Sequence, residues 1–190
     1  KIFIMKMNDY INNFTSHLTD AIQIGRSTIF MSSTIEIKHV LICGLGGSGI
    51  GGTIVTDIIS SIAKIPIASS KDYSIPNFVN EHTLVIACSY SGNTEETICA
   101  LEKCENKNAK IAIITSGGKL KDIAKKNNYN NIIIPAGGPP RAMFGYAFTE
   151  LFYLLYHYKI INNSFIHDFE NAIKLLNTEK SKIQKKAIAL

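Results

Sequence analysis

The sequence predicts an α/β fold: a three-layer α/β/α sandwich on a five-stranded parallel sheet, flanked by extra helices at both ends. Three observations carry this. Short apolar runs rich in β-formers alternate with stretches of helical spacing, and the runs are apolar on both faces, as strands covered from both sides must be. At 190 residues, 46% apolar and 18% charged, the chain has the material for one well-cored domain, and two would be cramped.

The elements follow in order. An amphipathic helix is expected over residues 8–28. Strands are expected over 39–43, 65–68, 84–88, 110–115 and 131–135. Helical spacing fills 48–63, 94–104 and 119–127 between them, whereas 70–82 carries Pro76 and little periodicity, so it reads as a loop. Strand–helix alternation implies right-handed crossovers and a parallel sheet. Two further helices are expected over 141–158 and from 164 onward; apolar density falls after residue 176, as in a helix leaving the domain. The division expected is residues 1–36 as a leading helix, 37–160 as the binding domain and 161–190 as a departing helix.

Composition excludes several classes. The formal charge of +5 is spread out, densest in a tail with Lys174, Lys180, Lys182, Lys185 and Lys186 that reads as a solvated helix face. No basic stripe with groove-reading elements suggests nucleic acid. Cys43, Cys88, Cys99 and Cys104 form no metal-binding spacing and read as packed thiols of a cytoplasmic protein. The opening residues 1–7 are too short for a secretion signal. The most apolar stretch, 142–158, is interrupted by Glu150 and His157 and is shorter than the roughly 20 residues a membrane span needs.

Ligands of open α/β sheets bind at the carboxyl ends of the strands. The first strand is followed by Gly44-Leu45-Gly46-Gly47-Ser48-Gly49-Ile50-Gly51-Gly52, six glycines in nine residues, where backbone N–H groups and a capping Ser48 favour an anion. The G-x-G-x-x-G match within it lacks the acidic residue that a dinucleotide site wants at the end of the second strand, which reads Ala68-Ser69-Ser70. After the third strand comes Ser89-Tyr90-Ser91-Gly92-Asn93-Thr94-Glu95-Glu96-Thr97, with more small hydroxyls than one helix cap uses. After the fifth, Gly137-Gly138-Pro139-Pro140-Arg141 places an arginine at a helix start, where the dipole does not favour it. A ligand's negative charge, or a surface pair with Glu95 or Glu150, would account for it. Glu95 and Glu96 sit where a carboxylate serves as structure, and His17, His39 and His82 lie away from the loops.

Taken together, the Gly-Gly-Ser-Gly loop and the Ser-x-Ser-Gly-x-Thr loop resemble the sugar isomerase (SIS) fold, a flavodoxin-like arrangement. The narrower wording Gly46-Gly47-Ser48-Gly49-Ile50-Gly51-Gly52, Ser89 through Thr97, and Pro140-Arg141-Ala142 resembles the bifunctional phosphoglucose/phosphomannose isomerases. These motifs span about half of the chain. The resemblance implies interconversion of glucose 6-phosphate or mannose 6-phosphate with fructose 6-phosphate through a cis-enediol, without metal or cofactor. It implies that Ser89, Ser91 and Thr94 hold the phosphate, that Ser48 assists with Gly46 and Gly47 lining the approach, and that Arg141 steadies the enediolate. It also implies a second SIS domain, with a glutamate base, a histidine and a lysine beyond the first. Residue 1 is Lys rather than Met, so this chain is expected to be an excerpt that binds without turnover, completed by a second SIS domain, a second copy, or both. A non-catalytic module that senses sugar phosphates is the alternative.

Overall fold

The computed structural model describes residues 7–189. Most of the opening run, residues 1–6, lies outside that range. The chain folds as α1 (Met7–Asn12), α2 (Phe14–Ser27), β1 (His39–Gly44), α3 (Gly46–Ile59), β2 (Ile67–Ser70), β3 (Thr83–Ser89), α4 (Glu95–Glu105), β4 (Lys110–Thr115), α5 (Gly118–Asn127), β5 (Asn130–Ile133), α6 (Phe144–His157) and α7 (Ser164–Ile188). All strand pairs are parallel, in the order β2-β1-β3-β4-β5. The chain leaves β1 toward one edge and returns at β3 to build the other. The two connections therefore diverge at the carboxyl ends of β1 and β3, where a crevice opens.

Side-chain alternation splits the core between the two faces of the sheet. Val40, Ile42, Leu84, Ile86, Ile114 and Ile132 point to the face covered by α3 and α6, with α2 and α7 packed outside them. Leu41, Cys43, Val85, Ala87, Ile111 and Ile113 point to the face covered by α4 and α5. Burial on both faces is why these strands read as unbroken apolar runs. Helix α2 buries Leu18, Ala21, Ile22 and Gly25, a stripe at i, i+3, i+4 and i+7. The cysteines are all free, with Cys43, Cys88 and Cys104 buried.

Several boundaries differ from the sequence expectation, each for a local reason. The leading helix is two helices, broken at Asn13 by a turn in which its N–H bonds Asp9 and Tyr10 carbonyls. Strand β2 starts two residues late because Pro66 has no N–H to donate, although its carbonyl accepts from Val40. Strand β5 stops at Ile133, before Pro135. Helix α6 begins at Phe144, so Arg141 lies in the turn ahead of it rather than in its first turn. Helix α7 keeps polar contacts with the leading helices beyond residue 176, while residues 181–189 are exposed: Asn177 accepts from Thr15, Lys180 donates to the Asn12 carbonyl, and Gln184 donates to the Asn12 side chain. The apolar helix α6 is covered within the chain, ten of its residues being buried.

Candidate functional site

The crevice at the carboxyl ends of β1 and β3 holds a cavity of about 480 Å³ lined by Leu45, Gly46, Gly47, Ser48, Tyr90, Ser91, Thr94, Pro139, Pro140, Arg141 and Met7. Loops after three different strands meet there, as the sheet order dictates.

The first wall is the start of α3. Its N-cap is Leu45, with no side-chain cap, so the N–H groups of the first turn are left to whatever enters. Ser48 is therefore the third residue of the helix, not its cap. Helix α3 comes close enough to do this because Gly52 sits against Ile42; a β-carbon at Gly52 would stand 2.8 Å from Ile42 Cγ2.

The second wall is the turn between β3 and α4. Thr94 is the N-cap of α4 and also makes no side-chain cap. Neither Asn93 nor Thr97 completes a capping box there: Asn93 Oδ1 instead accepts from the Lys119 N–H at 3.0 Å, stopping the start of α5. Thr97 Oγ1 is buried without a partner. Gly92 holds φ +69°, and a side chain there would run into the Gly117 carbonyl, so the turn and the β4–α5 loop fit only with glycine. The Tyr90 carbonyl accepts from Ser116 N and Oγ at 3.0 and 2.6 Å, and the Gly92 carbonyl accepts from Leu120 N.

The third wall is residues 137–141. A β-carbon on Gly47 would lie 3.5 Å from the Pro140 carbonyl oxygen and 3.8 Å from Arg141 Cα, so this loop lies directly against the start of α3. Arg141 is exposed and forms no ion pair with a described residue. Neither pairing weighed from the sequence occurs: Glu95 sits in the first turn of α4, and Glu150 is fully buried between α2 and α6.

Of the sequence candidates, Gly46, Gly47, Ser48, Ser91, Thr94 and Arg141 share this one cavity. Ser89 does not line it. Only 2% exposed, Ser89 lies behind the turn, its Oγ 2.7 Å from Thr94 Oγ1 and accepting from the Gly92 N–H at 3.1 Å. Tyr90, not singled out from the sequence, lines the cavity and accepts from the Gly138 N–H at 3.0 Å. Its position between the two serines was the available signal. Among the described residues, no carboxylate or imidazole side chain lines the cavity. No group of three or more His, Cys, Asp or Glu is placed to hold a metal, and no helix is long and apolar enough to cross a membrane, both among the described residues.

This geometry has relatives. The SIS domain family matches residues 34–156. The chain is 43% identical over 148 residues to a bifunctional phosphoglucose/phosphomannose isomerase of Caldicellulosiruptor bescii, covering 78% of this chain and 44% of that protein. It is 41% identical over 159 residues to the protein of the same name in Thermoplasma volcanium, covering 81% and 47%. It is also 38% identical over 113 residues to a D-glucosamine-6-phosphate 4-epimerase of Sulfolobus acidocaldarius, covering 59% and 35%. The chain thus spans less than half the length of these relatives. Among solved structures, the C-terminal domain of glucosamine-fructose-6-phosphate aminotransferase from Francisella tularensis superposes with a TM-score of 0.68 at 17% identity, over 93% of this chain and 55% of that one. A match that takes in all five strands and all three walls of the cavity fixes the family: the chain belongs to the SIS domains.

Proposed function

We propose that this chain is the sugar-phosphate-binding part of an aldose–ketose isomerase acting on glucose 6-phosphate and mannose 6-phosphate. One observation carries the reading: two helix starts without side-chain caps, three small hydroxyls and an arginine that pairs with no described residue converge on one cavity. A phosphate dianion suits the first-turn N–H groups of α3 and α4, and the hydroxyls of Ser48, Ser91 and Thr94 supply short donors beside them. Ser89 acts from behind, its hydroxyl directing that of Thr94.

In the isomerisation a base removes the proton from C2 of the open-chain aldose. The C–H electron pair becomes the C1=C2 bond of an enediolate, with negative charge on oxygen, and the proton returns at C1. Arg141 supplies the fixed cation that this charge requires. The cavity lining offers no carboxylate or imidazole to serve as base. We place the base in the part of the relatives' length that lies beyond this chain. An aliphatic ridge along α3 and the turn after it gives that part a seat: Ile50, Ile54 and Ile58 on the helix and Ile62 in the turn stand at four-residue spacing and are 37–53% exposed.

Calorimetric titration of the chain with glucose 6-phosphate and with inorganic phosphate tests the binding claim. Binding of both, without turnover, is expected; indifference to both sinks it. In a chain extended to the relatives' full length, Arg141→Ala should lower kcat more than it raises KM. The same lack of a base in the cavity also suits a module that senses sugar phosphates. An extended chain that binds but never converts either hexose phosphate would favour that reading.

A further inference from the structure

We propose that Tyr90 is a positioning residue: its phenol pins the loop that carries Arg141 and so sets where the guanidinium stands relative to the phosphate-holding turn. The proposal rests on the sugar-phosphate reading of the cavity.

The phenol bridges two walls of the cavity. Its oxygen accepts the Gly138 N–H at 3.0 Å, the one hydrogen bond among the described residues between the β3–α4 turn and residues 137–141. Both ends of the link are stiff. At one end, the Tyr90 carbonyl takes two hydrogen bonds from Ser116, which fixes the backbone from which the ring projects. At the other, Gly138 is followed by Pro139 and Pro140, whose φ angles are locked and which have no N–H to give. The Ala142 N–H then closes onto the Pro139 carbonyl at 2.9 Å, a turn that encloses Arg141. Gly138 itself is hemmed in: a β-carbon there would stand 2.5 Å from Met143 Sδ and 3.3 Å from Tyr10 Cε1. A displacement at Gly138 is therefore carried along a rigid arm to Arg141.

Core packing does not account for the hydroxyl. The ring of Tyr90 packs against the apolar core under α6, and a phenylalanine would fill that space equally well. The oxygen is what reaches Gly138. Phosphate binding, by contrast, uses groups that lie on the near side of this link: the α3 and α4 starts, Ser48, Ser91 and Thr94. Removing the phenol oxygen should leave the phosphate seat intact and disturb only the second anchoring point.

Two probes separate these effects: inorganic phosphate, which needs only the seat, and 6-phosphogluconate, which carries a carboxylate at the end remote from its phosphate. The experiment is a calorimetric double-mutant cycle on the 190-residue chain with Tyr90→Phe, Arg141→Ala and the double variant. Tyr90→Phe should leave phosphate affinity within about twofold and weaken 6-phosphogluconate about three- to tenfold. In the Arg141→Ala background the same change should have an effect below about twofold. Amide exchange at Gly138, followed by NMR, should speed up in Tyr90→Phe and report release of the pin directly. Equal weakening of both probes, no weakening of either, or a loss that persists in the Arg141→Ala background overturns the role of Tyr90. A wild-type chain that binds neither probe overturns the phosphate-site reading, and this proposal with it; one that binds both while Tyr90→Phe matches it overturns this proposal alone.

Discussion

At the scale of single residues, the molecule separates groups that face the cavity from groups that hold it in shape. Ser91 belongs to the first kind: it is exposed, and its Oγ takes up only the Asn93 N–H, at 3.2 Å. Ser91→Ala should weaken binding of inorganic phosphate by about 1–3 kcal/mol, the worth of a hydrogen bond to a charged oxygen, as calorimetry can measure. Glu150 is a charged residue type spent on neither task. It is fully buried, neither carboxyl oxygen has a hydrogen-bond partner among the described residues, and burial, reinforced by nearby Asp20, pushes its pKa up to about 9. The unfolded chain gives up that proton near the ordinary value of 4.5, while the folded chain keeps it. The folded state therefore binds more protons between these limits, and stability falls as pH rises through the window. Glu150→Gln should flatten that fall, matching wild type near pH 4 and exceeding it near pH 8 by on the order of a few kcal/mol in urea melts. Equal slopes against pH would show that the carboxyl ionises freely in the folded protein.

At the scale of elements, the sheet and its helices were legible because their signals are local. Short apolar runs of four to six residues mark all five strands to within two residues at either end. Termini were less legible, because what ends an element is often a partner far away in sequence. Asn93 sits in the turn before α4, yet its side chain accepts from Lys119 N–H in α5, 26 residues on. Ser48 looked like a cap, yet α3 starts two residues before it, since the glycines ahead of it allow an earlier beginning. Ser89, Ser91 and Thr94 looked equivalent, and only the turn's fold puts one of them behind the other two. The close seat of α3 on β1 is the element-level feature most open to test. Gly52→Ala would press a methyl group into Ile42 and lift the helix, at about 1–3 kcal/mol in a denaturant melt. Because Ser48 rides on α3, phosphate affinity should fall in the same variant.

At the scale of the whole molecule, the most apolar helix is not the one left uncovered. The stretch over 142–158 is the most apolar in the chain, and a sequence cannot show that α2 and α3 already cover it. An uncovered apolar ridge lies on α3, and its isoleucines begin beside the residues that line the cavity. Sedimentation should show the chain associating with rising concentration, and Ile54→Glu with Ile58→Glu should hold it monomeric with little change in melting. Concentration-independent sedimentation of the wild type would argue against a partner on that face.

Three helices, α3, α4 and α5, begin at one end of the sheet, and each would welcome an anion. By lending its side chain to the last of them, Asn93 leaves two berths open and occupies the third, so that a dianion held at the proposed site would lie on the side of the crevice where Arg141 stands. On that reading, the direction in which a ligand extends would be settled before any residue touched its carbon skeleton.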